Sequence, residues 1–418
     1  MIATVRGAHK LQGAIQLPGD KSISHRALML ASIASGRSGI RGLSAGADVH
    51  STRSCLMQLG VDIDAGTVHG VGLSGLHPAR SPLDCGNSGT TMRLLAGLLA
   101  AQPFVSDLTG DASLSGRPMD RVVDPLRRMG ANASWPPLRV GGSVPLVGTE
   151  YQMPVASAQV KSAILLAGLC AEGTTSVVEP LLTRNHTELM LAAMGAKVSH
   201  AGLRVEVSKT ESLGPLDMEI PGDFSAAAFW LVAGGLVRGS HVRLLSVGVN
   251  PTRTALTETL RGCGFQISIS NERTAGGEPV ADLEVRPAAD KRAVSVDGAA
   301  AAAMIDELPV LAVAMTQLPG RSVIAGAGEL RVKESDRIAA MEEGLTAMGA
   351  DITATDDGWI VNGPRFLEGT RVSSHGDHRV AMAFAIAALI ADGKTEIDGA
   401  ECVDISYPGF FDKLEYLA

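Results

Sequence analysis

The sequence predicts an α/β repeat protein of two domains with three repeated units each, and three observations lead there. Five peptides are near copies: Leu-Met-Gln-Leu-Gly-Val from Leu56, Leu-Arg-Arg-Met-Gly-Ala from Leu126, Leu-Ala-Ala-Met-Gly-Ala from Leu191, Leu-Arg-Gly-Cys-Gly-Phe from Leu260 and Leu-Thr-Ala-Met-Gly-Ala from Leu345. Strongly polar loops repeatedly open almost wholly apolar helices. Leu17-Pro-Gly-Asp-Lys-Ser22 and Ile220-Pro-Gly-Asp-Phe-Ser225 repeat each other about 200 residues apart.

Each of the five peptides reads as the last turn of an amphipathic helix. Its glycine takes a left-handed C′ conformation and a strand follows. A sixth copy, Leu414-Glu-Tyr-Leu-Ala418, is cut short by the chain end. The signature glycines recur every 65 to 85 residues, so the unit is a whole α/β motif. Upstream of each lies the apolar helix. Lys21–Arg26 precedes Ala27, Asn87–Arg93 precedes Leu94, and Ser157–Ser162 precedes Ala163. Gly222–Ser225 precedes Ala226, Asp306-Glu307 precedes Leu308, and Gly376–Arg379 precedes Val380. Such helices must be buried. The duplicated Pro-Gly peptides mark two crossings between domains. Residues 20–220 form an inserted domain, and residues 1–19 with 221–418 form a discontinuous one. The first strand, Ile2–Leu17, has no unit of its own and is expected to pair into the C-terminal half.

Helix N-termini present unpaired N–H groups and a positive dipole end, so several converging on one place make an anion site. Asn87 and Asp223 read equally well as ordinary N-caps. Capping does not explain Lys21, Arg26, Arg93 and Arg379 at helix starts, where the dipole disfavours cations. Basic residues there point to a ligand of high negative charge.

Composition narrows the function classes. The chain has 418 residues, 45% of them hydrophobic, enough for more than one core. A net charge of −8 excludes a global basic field for nucleic acid or anionic membrane. Five scattered cysteines lack metal-site spacing and fit reduced thiols in a cytoplasm. No apolar run reaches membrane-spanning length, and aromatics at 3% disfavour base stacking. Gly70-Val-Gly-Leu-Ser-Gly75 matches a dinucleotide pattern, but no helix follows it, so chance explains it. No phosphate-binding Gly-x4-Gly-Lys-[Ser/Thr] loop is present. His375, Asp377 and His378 lack a further cluster that would complete a metal site.

Nine motifs carry a family resemblance: Leu17–Arg26, Asn87–Arg93, Gly116–Met119, Ser157–Lys161, Arg184–Glu188, Asn250–Arg253, Asp306–Pro309, Arg331–Arg337 and Gly376–Ala383. In this order, end to end, the chain resembles the 5-enolpyruvylshikimate-3-phosphate synthases of the second motif class. The fold this implies is two domains of three βαβαββ units, with helices inside an outer layer of sheet and the active site in the interdomain cleft. The implied reaction transfers the enolpyruvyl group of phosphoenolpyruvate to the 5-hydroxyl of shikimate 3-phosphate, through a tetrahedral intermediate and with loss of phosphate. It belongs to the shikimate pathway to chorismate and aromatic amino acids. Together the substrates bring roughly five or six negative charges, and arginine suits bidentate recognition of their carboxylates and phosphates.

By the resemblance, Lys21, Ser22, Arg26, Ser157, Ala158, Gln159, Arg184, Asp306 and Lys333 contact shikimate 3-phosphate, with Thr183 nearby. Lys21, Gly89, Arg117, Gln159, Arg337 and Arg379 contact phosphoenolpyruvate. At Gly89 the lack of a Cβ lets backbone approach a small ligand. Asp306 is the candidate base, Glu334 the candidate acid, and Lys21 titrates with them. Glu334 then needs burial or a like charge to oppose its neighbour Lys333. His186 is expected to tune the Arg184 loop or satisfy Glu188, and His25 and Ser24 to cap and pack beside the site. No metal or organic cofactor is implied, and a cytoplasmic monomer is expected.

Two departures matter. A last-loop lysine of some family members aligns with Ile405. For the herbicide glyphosate, a competitor at the donor site, the second-class motifs and Gly89 point in opposite directions. Two other readings are a UDP-N-acetylglucosamine enolpyruvyl transferase and a catalytically silent anion binder. The first usually carries a cysteine where this chain has Leu114–Met119, and Ser22 with Arg26 suits a phosphorylated acceptor. Intact Lys21, Asp306, Glu334 and Arg379 argue against the second.

Overall fold

All five signature glycines are left-handed, with φ of +91° at Gly60, +93° at Gly130, +92° at Gly195, +95° at Gly264 and +91° at Gly349. The residue after each glycine returns its N–H to the carbonyl of the signature leucine. The pairs are Val61 to Leu56 (3.1 Å), Ala131 to Leu126 (3.0 Å), Ala196 to Leu191 (2.9 Å), Phe265 to Leu260 (3.0 Å) and Ala350 to Leu345 (2.9 Å). This six-to-one closure is a Schellman motif. It explains why the repeat needs an apolar residue four positions before its glycine and another directly after it.

The computed structural model describes residues 1–142 and 145–418. The chain divides into a discontinuous unit (Met1–Pro18, Pro221–Arg273 and Pro279–Ala418) and an inserted unit (Gly19–Ile220 with Thr274–Glu278).

The inserted unit contains three four-stranded sheets of one pattern, a parallel pair extended by two antiparallel strands. In the first, Asp217–Glu219 pairs parallel with Ser35–Arg41, which continues antiparallel to Thr67–Val71 and then Asp62–Asp64. Strands Leu83–Asp84, Val105–Thr109, Leu138–Gly141 and Ala133–Ser134 make the second. Strands Glu150–Gln152, Thr174–Val178, Arg204–Ser208 and Val198–Ala201 make the third. The helices Lys21–Ser32, Gly89–Leu99 and Ala158–Gly168 are buried along nearly their whole length. The last two approach so closely that a Cβ on Gly97 would stand 2.2 Å from the Ala163 carbonyl oxygen.

The discontinuous unit repeats the pattern in the sheets Gln12–Gln16, His241–Gly248, Glu278–Arg286, Gln266–Ala275 and Ser295–Val296, Gly320–Ile324, Gly358–Gly363, Asp351–Thr355. Its last repeat is split between a three-stranded sheet and the pair Leu367–Glu368 with Ala391–Asp392. Its buried helices are Phe224–Leu236, Leu308–Met315 and His378–Ala388. Each unit has its own apolar core.

The expected single strand over Ile2–Leu17 is two. Ile2–Arg6 pairs antiparallel with Lys394–Asp398, and Gln12–Gln16 pairs parallel with His241–Gly248. The polar stretch Gly7–Lys10 carries the chain from one sheet to the other, where Gly7 lies against the Ala391 carbonyl oxygen, 2.7 Å from a Cβ position. All five cysteines carry free thiols. Among the described residues no helix is long and apolar enough to cross a membrane.

Candidate active site

Side-chain caps hold the starts of five of the six buried helices, and Leu308–Met315 has none. Asp20, Ser88, Ser157, Asp223 and Asp377 each accept a backbone N–H of the first turn. Capping and chemistry are thereby divided between neighbours. Asp223 is a cap. Asn87 is not, since its side chain donates to Asp111 Oδ2 at 2.7 Å and accepts from Arg117 Nη2 at 2.7 Å.

In the inserted unit these starts bring four expected residues into linked clusters. Lys21 Nζ lies 3.0 Å from Asp48 Oδ2, both largely buried. A Cβ on Gly89 would stand 2.8 Å from Arg93 Nη1 and 3.5 Å from Arg117 Nη1. Arg93 Nη1 donates to Gln159 Oε1 at 2.6 Å, and Gln159 Nε2 donates to Thr90 Oγ1 at 2.8 Å. Gly89, Arg117 and Gln159 therefore share a cationic patch centred on Arg93. Arg93 carries no assigned contact in the sequence, although it gives the same signal as Lys21, a basic residue near the start of an apolar helix.

Arg26 is 4% exposed and well engaged. Its Nε donates to Thr187 Oγ1 at 2.8 Å, Nη2 to Ser162 Oγ at 2.9 Å and Nη1 to the Ser22 carbonyl at 2.9 Å. Burial is the main cause that lowers its pKa to about 10, and the charge of Arg184 works in the same direction. Ser22, Ser157, Ala158, Thr183 and Arg184 are half-buried.

Of the two expectations for His186, the pairing with Glu188 is not met, because its Nδ1 meets Glu278 Oε1 at 2.8 Å while Glu188 pairs with Lys161. The reason is reach: a lysine on the neighbouring helix covers a distance that His186, two positions before Glu188 on one helix, cannot turn to face. His25 and Ser24 are packing residues rather than caps. His25 is fully buried against Thr52, and burial pushes its pKa down to about 3, so its ring is neutral.

In the discontinuous unit, Arg337 is the centre. Its side chain is 1% exposed, with Nε 2.7 Å from Asp377 Oδ2, Nη2 2.6 Å from Glu334 Oε2 and Nη1 3.5 Å from Asp306 Oδ1. Burial works against its charge, but Asp377, Glu334 and Asp306 together hold the guanidinium above its ordinary pKa. Burial likewise opposes ionisation of Asp377, and Arg337 followed by His378 outweighs it, leaving the carboxyl below its ordinary value. Arg379 Nη1 donates to the Asp306 carbonyl at 3.0 Å, and its Nε lies 3.8 Å from Asp306 Oδ1.

Asp306, Glu334, Arg337 and Arg379 thus form one cluster, with Lys333 half-buried beside Glu334. The burial that an acid role for Glu334 called for is partial, its side chain being 30% exposed. The like charge is present, since Glu334 acts on Asp377. Asp377 is the second residue given no ligand or catalytic role in the sequence. Arg253, of the Asn250–Arg253 motif, binds Asp223 Oδ1 (3.2 Å) and Ser225 Oγ (2.8 Å), and Ser225 donates to buried Glu307. That network fixes the residue adjoining Asp306. Ile405 packs partly buried against the core of this unit. Among the described residues no three His, Cys, Asp or Glu side chains are grouped to hold a metal ion, and His375 turns to Glu343 at 3.3 Å.

Two anchored sets of cations and carboxylates near helix starts suit multiply charged anionic substrates, and the wider comparison agrees. The family described as EPSP synthase (3-phosphoshikimate 1-carboxyvinyltransferase) matches residues 5–414. A 3-phosphoshikimate 1-carboxyvinyltransferase of Syntrophomonas wolfei is 48% identical over 418 residues, covering 97% of each chain. One of Alkalilimnicola ehrlichii is 50% identical over 416 residues, covering 97% of this chain and 93% of its own. The solved EPSP synthase of Acinetobacter baumannii superposes with a TM-score of 0.91 at 42% identity, over 100% of this chain and 98% of that one. The enolpyruvyl transferase NikO of Streptomyces tendae, at 18% identity and a TM-score of 0.82 over 100% and 97% of the two chains, shares the fold. With the family pattern spanning nearly every residue and the fold repeated at full length, the chain belongs to the EPSP synthase family.

Proposed function

We propose that this chain transfers the enolpyruvyl group of phosphoenolpyruvate to the 5-hydroxyl of shikimate 3-phosphate, releasing phosphate and 5-enolpyruvylshikimate 3-phosphate. The observation that carries the reading is the family match over residues 5–414. Retention of Lys21, Asp306, Glu334 and Arg379 supports an active enzyme over a silent anion binder.

In this reading residues of both units serve one reaction. Lys21, Ser22, Arg26, Ser157, Ala158, Gln159 and Arg184 bind shikimate 3-phosphate, joined by Asp306 and Lys333. Lys21, Gly89, Arg117, Gln159, Arg337 and Arg379 bind phosphoenolpyruvate. Arg93, hydrogen-bonded to Gln159, orients that amide.

Asp306 takes the proton of the 5-hydroxyl as oxygen attacks C2 of phosphoenolpyruvate. Glu334 delivers a proton to the methylene carbon, giving a methyl group. Elimination returns that proton to a base and expels phosphate. A free aspartate is ionised at neutral pH, the form a base requires. The guanidinium groups offset charge on a dianionic phosphate that would otherwise resist attack. The enzyme works in the cytoplasm as a monomer, and glyphosate competes at the donor site.

Phosphate release tests the function. With phosphoenolpyruvate, chelator and no added metal, phosphate appears with shikimate 3-phosphate and not with UDP-N-acetylglucosamine. Silence with both acceptors would return the chain to an anion-binding role.

A second prediction concerns Gly89. The Cβ of alanine at this position meets the mobile end of Arg93 at 2.8 Å rather than backbone. The protein adapts by moving that guanidinium into the donor space. Gly89→Ala therefore weakens glyphosate binding by about tenfold or more, as lost packing at one group allows, and weakens phosphoenolpyruvate binding less. Equal rises in the two dissociation constants would refute this.

A further inference from the structure

Two motifs each end on a charged residue to which no ligand role falls, Lys161 in Ser157–Lys161 and Glu188 in Arg184–Glu188. They meet in the interior of the inserted unit. Lys161 Nζ lies 2.9 Å from Glu179 Oε2 and 2.8 Å from Glu188 Oε1, and all three side chains are 0% exposed. The same ammonium lies 3.4 Å from the Thr183 carbonyl, and the Thr183 hydroxyl donates to Glu179. One lysine thus holds the start, the middle and the end of the segment 179–188, which carries Arg184. Its neighbour Ser162 accepts from Arg26 Nη2 at 2.9 Å and from Thr187 Oγ1 at 2.7 Å, and Thr187 accepts from Arg26 Nε at 2.8 Å. Lys161 thus faces both Glu179 and Glu188, and Glu188 also acts on the buried guanidinium of Arg26.

Stability does not account for this cluster. Desolvating an ion costs several kcal/mol after relaxation, and well-packed apolar residues of similar volume often do as well. What ions provide is direction. Lys161 stands on the same helix as Ser157, Ala158 and Gln159, four positions beyond the first of them. Pairing with Glu179 and Glu188 therefore sets the Thr183-Arg184 loop in register with that helix start.

We infer that Lys161, with Glu179 and Glu188, is a positioning residue that holds Arg184 where it meets the phosphate of the acceptor. The inference rests on the reading above that Arg184 binds shikimate 3-phosphate.

Lys161→Met would leave two carboxylates buried without their cation and tests folding rather than positioning; Glu179→Gln keeps the shape and removes one charge. Shikimate 3-phosphate affinity is measured by calorimetry for Glu179→Gln, Arg184→Met and the double variant, with melting curves to establish folding. Glu179→Gln alone weakens binding about tenfold, the scale of one charge-assisted hydrogen bond. It raises KM for that substrate while kcat at saturation stays within about twofold. In the Arg184→Met background the same change alters affinity by less than about twofold, because the two act through one contact. An equal effect in both backgrounds overturns the clamp. Unchanged affinity in Arg184→Met alone overturns instead the ligand assignment on which it stands.

Discussion

Asp306→Asn lowers kcat by about a hundredfold to ten-thousandfold, the range general acid–base groups supply, while shikimate 3-phosphate still binds. Asparagine keeps the size of the side chain and the backbone carbonyl that Arg379 Nη1 contacts at 3.0 Å. It cannot accept the 5-hydroxyl proton. Single-turnover phosphate release separates this loss from binding, because a base variant loses the chemical step and not the complex. Glu334→Gln gives a comparable loss in the same assay. Its carboxylate lies 2.6 Å from Arg337 Nη2 with 30% of the side chain exposed, so the amide keeps an oxygen for that arginine and gives up the transferable proton. If Asp306→Asn retained kcat within about tenfold, less than a general base supplies, Asp306 would be a binding residue and the base would lie elsewhere.

Arg337→Met carries the largest stability effect, about 3–5 kcal/mol, the cost of removing one partner from a buried ion pair. The guanidinium is 1% exposed and Asp377 0% exposed at 2.7 Å, so methionine leaves a carboxylate stranded in the interior. The effect has a pH signature. In the native chain Asp377 is held below its unfolded value of 3.8. Its contribution is fully present above pH 3.8 and disappears as the pH falls through the lower folded value. Without Arg337, burial is the remaining dominant influence and favours the protonated acid, so the variant is penalised at neutral pH and relieved in acid. Urea unfolding at neutral pH and below pH 4 checks this. The free-energy gap between the two proteins narrows in acid; a gap independent of pH would mean that packing, not the ion pair, is what Arg337 supplies. Arg337→Lys restores only part of the gap, because one ammonium cannot bridge Asp377, Glu334 and Asp306 as a planar fork does.

These predictions draw on residues that were visible in the sequence to different degrees. The repeat was legible because its signal is local. A Schellman closure spans six residues, and the glycine with its two apolar neighbours lies within one short peptide. The apolar helices and the cations at their starts were legible for the same reason, since each breaks a local rule of propensity or dipole. Arg93 shows where such reading stops: its position announced a ligand-facing cation, but its bond to Gln159 crosses 66 residues.

By itself, then, the sequence determined the six apolar helices, the glycine-closed turns behind them, and which polar segments carry Lys21, Asp306, Glu334 and Arg379. Tertiary structure alone decided the pairings. Arg337 reaches Asp377 across 40 residues, His186 reaches Glu278 across 92, and Lys161 takes both Glu179 and Glu188. It also divided the N-terminal segment between two sheets. A charge in a sequence has many candidate partners of opposite sign and no period that selects among them. Only the packing of buried elements, which excludes water and fixes distances to a few ångströms, selects the neighbours that offset each ion's desolvation.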